Sequence, residues 1–81
     1  MPYLTPFNRQ RLAEGGPALT GGDLNYLFSQ IIRSYIQENG LSYATLNEVT
    51  GALECCKMEL YRRVVGPYED TKIKENGDVY F

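Results

Sequence analysis

Histidine is absent, and the two cysteines, Cys55 and Cys56, are adjacent. Neighbouring side chains on a helix diverge, so this pair chelates a metal poorly. A bond between them would close a strained ring. These shortages exclude a His/Cys metal centre and a disulfide framework, and the composition implies no cofactor. Two free thiols point to a reducing cytoplasm. Excess positive charge is also missing: the net charge is −2, which argues against non-specific binding to nucleic acid. No apolar run approaches the ~20 residues of a membrane span, and the opening MPYLTPFNRQ lacks the apolar stretch of a signal peptide. The expectation is a cytoplasmic protein with no membrane partner. A complete catalytic motif is missing too. Cys55 and Cys56 have no histidine base, and core packing suits them better than nucleophilic chemistry. Glu69-Asp70 lacks the carboxylate spacing of metal-dependent helical nucleotide hydrolases, and suits a helix N-terminus instead. The chain is not expected to be an enzyme.

What is present is helical periodicity. With 81 residues, the chain is one small domain whose core is marginal without self-association. Thr5-Pro6 reads as an N-cap and first helical position, opening a short helix to Glu14. GGPALTGGD follows as a flexible connector, so residues 1–22 form a flexible segment before a helical domain over 23–81. In DLNYLFSQIIRSYIQ, the residues Leu24, Leu27, Phe28, Ile31, Ile32, Tyr35 and Ile36 make one apolar stripe. Asp23 is the expected cap, and Asn39-Gly40 the stop. The next helix starts near Ser42 or Thr45. Its seam of Leu46, Val49, Leu53, Cys56, Leu60 and Val64 follows a 3-4-3-4-4 spacing. Gly51 lies inside it at a cost of ~1 kcal/mol, a cost that close approach of a helix or ligand would offset. Gly66-Pro67 should break or kink the helix, with a short helix restarting at Pro67 and stopping at Asn76-Gly77. The fold class is all-α: an antiparallel helical hairpin with short flanking helices, a kinked second helix and a C-terminal tail. Two helices cannot enclose two wide apolar faces, so a bundle-like homo-oligomer is expected.

The pieces Leu24-Asn25-Tyr26, Tyr43, Leu46-Asn47-Glu48, Glu54, Glu59 to Arg63, Pro67 to Asp70 and Asn76 to Tyr80 resemble a family of small uncharacterised helical proteins found in tailed phages and bacterial genomes. The resemblance spans residues 23–80, while the glycine-rich first third departs from it. It implies a phage or prophage setting and no particular activity.

The stretch ELYRRVVGPYED carries the densest chemistry. Lys57, Arg62 and Arg63, with Arg33 on the first strong helix, suit phosphate or carboxylate, because a guanidinium offers two parallel hydrogen bonds. Tyr61 and Tyr68 suit stacking of a base. Asp78 and Tyr80, in the tail, either reach another subunit or close over a pocket, or else belong to a turn that pins the C-terminus by burying Val79 and Tyr80. The plain alternative for the cations is a solvated helix end, paired with Glu54 and Glu59. Asn47 and Glu54, one heptad apart, suit either helix register across an interface or the reading of a ligand's edge. Two functions follow. One is a non-enzymatic protein that binds or sequesters a phosphorylated nucleotide-type ligand at subunit interfaces. The other is an interaction module that docks on a host or phage protein.

Overall fold

A computed structural model describes residues 3–81. The described elements are all helical: α1 (Pro6–Ala13), α2 (Gly21–Asn39), α3 (Tyr43–Leu60), a π-helical turn (Tyr61–Val65) and α4 (Gly66–Asn76). The chain divides into two compact units, Met1–Thr45 and Leu46–Phe81, with the boundary inside the first turn of α3.

In the first unit, α1 begins as its sequence dictates. The Thr5 hydroxyl accepts the Asn8 amide at 3.3 Å, with proline in the first turn. The cap of α2 is Thr20 rather than Asp23. The Thr20 hydroxyl accepts the Asp23 amide at 3.0 Å, and the Asp23 carboxylate accepts the Leu19 amide at 2.9 Å. This is the reciprocal logic of a capping box, with aspartate reaching one residue further back. Asp23 is free to do so because it sits in the first turn, where a carboxylate also faces the positive helix end.

The glycine-rich connector is tied down from both sides. Arg11 donates to the Pro17 carbonyl at 2.6 Å and to Asp23 at 2.7 Å. Gly16 donates to the Arg11 carbonyl at 2.9 Å. A Cβ on Gly16 would stand 2.8 Å from that carbonyl, so glycine is what lets the chain pass this close. Leu12 is the buried apolar residue of the unit. At the far end of α2, Gly40 adopts φ 88° and ψ 151°. That is not the left-handed helical conformation but an extended mirror region open essentially to glycine alone. The Gly40 amide still closes the helix on the Ile36 carbonyl at 2.8 Å. Ser42, not Thr45, caps α3, its hydroxyl accepting the Thr45 amide at 3.2 Å.

In the second unit, helical structure runs from residue 46 to 76 without interruption. Gly66-Pro67 neither breaks nor ends it. Val65 and Gly66 both keep right-handed helical angles, and the Gly66 amide donates to the Tyr61 carbonyl, one residue further back than in an α-helix. Proline lacks an N–H, and in an α-helix its ring clashes with the carbonyl four residues earlier. The wider π turn moves that carbonyl aside. Gly66 is part of the same solution, since a Cβ there would lie 3.0 Å from the Tyr61 carbonyl.

No residue from 46 to 81 is buried. Cys55 and Cys56, expected in a core, are both exposed. Gly51 has nothing within 4 Å of an added Cβ, so no close approach offsets its cost within the chain. The tail is not pinned by burial either, for Val79 and Tyr80 are both exposed.

Candidate functional site

The basic and aromatic residues singled out from the sequence fall on and around the π turn. Lys57 lies in the last turn of α3, and Tyr61, Arg62 and Arg63 lie within the π turn itself. Tyr68 follows in the first turns of α4. A π turn inside an α-helix is rare and recurs at functional sites. Here it has a local cause in Gly66-Pro67, and its effect is to re-aim the arginine pair.

Lys57 is already paired with Glu54, Nζ to carboxylate 3.1 Å, on a solvated surface. An exposed pair of this kind contributes ~0–1 kcal/mol and exchanges readily for a stronger anion. Neither Arg62 nor Arg63 has a side-chain hydrogen bond or ion pair among the described residues. Tyr61 and Tyr68 present open rings, 55% and 62% exposed. The Tyr68 ring carries the Lys72 ammonium 5.5 Å from its centroid, and Lys72 also reaches Glu75 at 3.3 Å. One face of Tyr68 is thus held by a cation.

Asp78 and Tyr80 are not brought to this cluster within one chain. They follow the end of α4, about 20 Å along the helix from Arg63. There the Asp78 carboxylate accepts the Tyr80 amide at 2.9 Å, a local turn. Arg33 stands on α2, in the other unit. What the chain presents by itself is an open strip of Lys57, Tyr61, Arg62, Arg63 and Tyr68 that can meet an anion and a flat ring. It has no walls. Among the described residues, no group of three metal-ligating side chains comes together.

The first unit holds chemistry that sequence reasoning missed. Asp23, 4% exposed, gathers the Leu19 amide and the Arg11 guanidinium. The Leu19 amide, and after it Arg11, hold the Asp23 carboxyl below the usual carboxylate range, against the opposing pull of burial. Thr20 and Asp23 have capping-box spacing, which was the available signal, but nothing in the spacing pointed to Arg11. An open hollow lined by Phe7, Gln10, Arg11 and Glu14 lies beside this pair. Its polar groups are already engaged, Gln10 with Glu14 at 3.1 Å and Arg11 with Asp23. This cluster is therefore structural.

The model of a protein family, Domain of unknown function (DUF6899), matches residues 1–79. The match takes in the glycine-rich first third, which the sequence resemblance had left outside. No curated protein matches the chain, and no solved structure does.

Proposed function

The chain belongs to this family of unknown function, and from that premise we propose that it is a non-enzymatic helical protein that works as a homo-oligomer and holds a phosphorylated, nucleotide-type ligand at its subunit interface. The observation that supports this reading is the lack of any buried residue from 46 to 81 beside the exposed Leu46, Leu53, Leu60 and Val64. An amphipathic helix draws most of its stability from packing its apolar face. In this reading α2 and α3 act as an antiparallel hairpin, and a bundle of copies buries the seam.

Lys57, Arg62 and Arg63 then hold phosphate oxygens, and Tyr61 and Tyr68 stack on the base. Asp78 and Tyr80 complete the site from the tail of a neighbouring subunit. The resemblance to phage proteins suggests the setting: stoichiometric capture of a nucleotide-type immune signal, which needs no catalysis. Native mass spectrometry on gently purified protein tests this directly. An oligomer that retains a phosphorylated ligand supports it. Failure to bind mono-, di- and cyclic nucleotides at micromolar concentration in calorimetry defeats it.

A second reading, docking on a host or phage protein, is favoured by the same exposed apolar face. Arg62 and Arg63 then become rim charges that affect on-rate more than affinity. A pull-down that recovers only this chain counts against it.

A further inference from the structure

We propose that the helix over residues 46–64 pairs antiparallel with the same helix of a second copy, in one register centred between Glu54 and Cys55. This rests on the self-association proposed above and specifies its geometry.

The first argument is the π turn. Leu46, Val49, Leu53, Cys56 and Leu60 alternate spacings of three and four, as a heptad seam does. The next seam position after Leu60 falls on Arg63, and Val64 is one residue late. In an unbroken α-helix that one residue rotates Val64 about 100° off the seam. The π turn spans Tyr61–Val65, immediately after Leu60. A turn closed by a five-residue hydrogen bond holds one residue more than an α turn. By Val64 most of the extra residue has been absorbed, so the valine returns to the seam and Arg63 leaves it. The backbone irregularity thus keeps an exposed apolar row in phase, a correction that matters only if something straight lies along it.

The second argument is that the corrected seam is self-complementary when reversed. Leu46 meets the second copy's Val64, Val49 meets its Leu60, and Leu53 meets its Cys56. Each layer sets one seam position against the other, as an antiparallel pair requires, and no layer is polar.

The third argument is charge. Residues 46–54 carry Glu48 and Glu54 and no basic residue. Residues 55–64 carry Lys57, Arg62 and Arg63 against Glu59 alone. Reversal lays each acidic half along a basic half. Parallel pairing stacks like on like, within the ~8–10 Å over which charges act at moderate salt. Gly51, about one and a half turns from Leu46, takes the outermost position relative to the seam, and nothing approaches it there.

Single-cysteine crosslinking tests the register. In a Cys55→Ser/Cys56→Ser background, Leu46→Cys and Val64→Cys chains are oxidised separately and then as a mixture. The expected result is a covalent 46–64 dimer in the mixture and little or none in either chain alone, because a disulfide needs Cα atoms within ~7 Å. The milder companion mixes Leu53→Cys in the Cys55→Ser/Cys56→Ser background with a Cys55→Ser chain that keeps Cys56, so that no chain carries both thiols, and a 53–56 link is expected in the covalent dimer. Crosslinks of 46 to 46 and 64 to 64 overturn the antiparallel register but leave self-association standing. An oligomer that yields neither 46–64 nor 53–56 links overturns this register alone. A wild-type chain that sediments as a monomer up to about 1 mM overturns both proposals.

Discussion

The Arg11 guanidinium meets the Asp23 carboxylate at 2.7 Å, across the connector that separates α1 from α2. The same carboxylate oxygen holds the Leu19 amide, so one atom fixes both the helix start and the arm that precedes it. Because folding lowers the Asp23 pKa, its contribution is fully present above the unfolded value of ~3.9. It is lost as the pH falls through the folded value. Thermal unfolding followed from pH 7 to pH 2 should show wild type losing more stability below about pH 4 than Asp23→Asn. Parallel curves for the two proteins would refute the linkage.

Thr20 offers a cleaner energetic test. Its hydroxyl satisfies the Asp23 amide at 3.0 Å, and Thr20→Ala should cost ~1 kcal/mol, the usual loss of an N-cap. Thr20→Ser should retain most of it. Urea unfolding of the two variants checks the difference.

Glycines 51 and 66 should respond differently to alanine, though both have helical neighbours on either side. An alanine at 51 meets nothing, so Gly51→Ala should stabilise the protein by roughly 0.5–1 kcal/mol. At 66 the new methyl faces the Tyr61 carbonyl at 3.0 Å, and the propensity gain should be cancelled or reversed. A loss at 51 instead would mean that a second chain or a ligand packs on that glycine.

Pro67→Ala restores an amide and removes the ring that the π turn accommodates. The helix is then free to revert to α geometry, which rotates Arg62, Arg63 and Val64 relative to Leu60. We expect weaker self-association by about tenfold in sedimentation, with helix content by circular dichroism unchanged or raised. Unaltered association would show that the phase of the seam is irrelevant.

Arg62→Ala and Arg63→Ala should each weaken binding of a phosphorylated nucleotide by ~1.5–3 kcal/mol, the worth of a charge-assisted hydrogen bond. Tyr68→Leu should weaken nucleotide binding but leave inorganic phosphate unaffected. Titration calorimetry at two salt concentrations separates the charge contribution from stacking.

The helices were legible in the sequence because their signals are local. Thr5-Pro6, the stripe from Leu24 to Ile36 and the two Asn-Gly stops each act within a few residues. The cap of α2 was misplaced by three residues because Thr20 and Asp23 both have capping side chains, and Asp23 was needed elsewhere. For Gly66-Pro67 the sequence left a break and a kink open, because proline in mid-helix ordinarily interrupts the hydrogen-bond ladder. The chain instead widens one turn, a solution with no signature in periodicity. The Arg11–Asp23 pair depends on how the connector folds back, which spacing cannot show. The cations and tyrosines of the candidate site were visible as types. Their openness was not, because exposure depends on what packs against α3 and α4.

Both long helical runs end in the same dipeptide, Asn39-Gly40 and Asn76-Gly77, each glycine amide tied to an isoleucine carbonyl at 2.8 Å. Asn-Gly is the sequence at which asparagine most readily closes on the following amide nitrogen and deamidates. The nitrogen that must attack is here the one holding the helix end shut, so the chemistry proceeds only when that end opens. Asn39 is held further by its own side chain, which donates to the Tyr35 carbonyl at 2.9 Å. Asn76 has no such side-chain bond among the described residues. Asn76 is therefore expected to deamidate faster than Asn39, which peptide mapping of aged protein would check. The ratio of the two products reports how often each helix end frays.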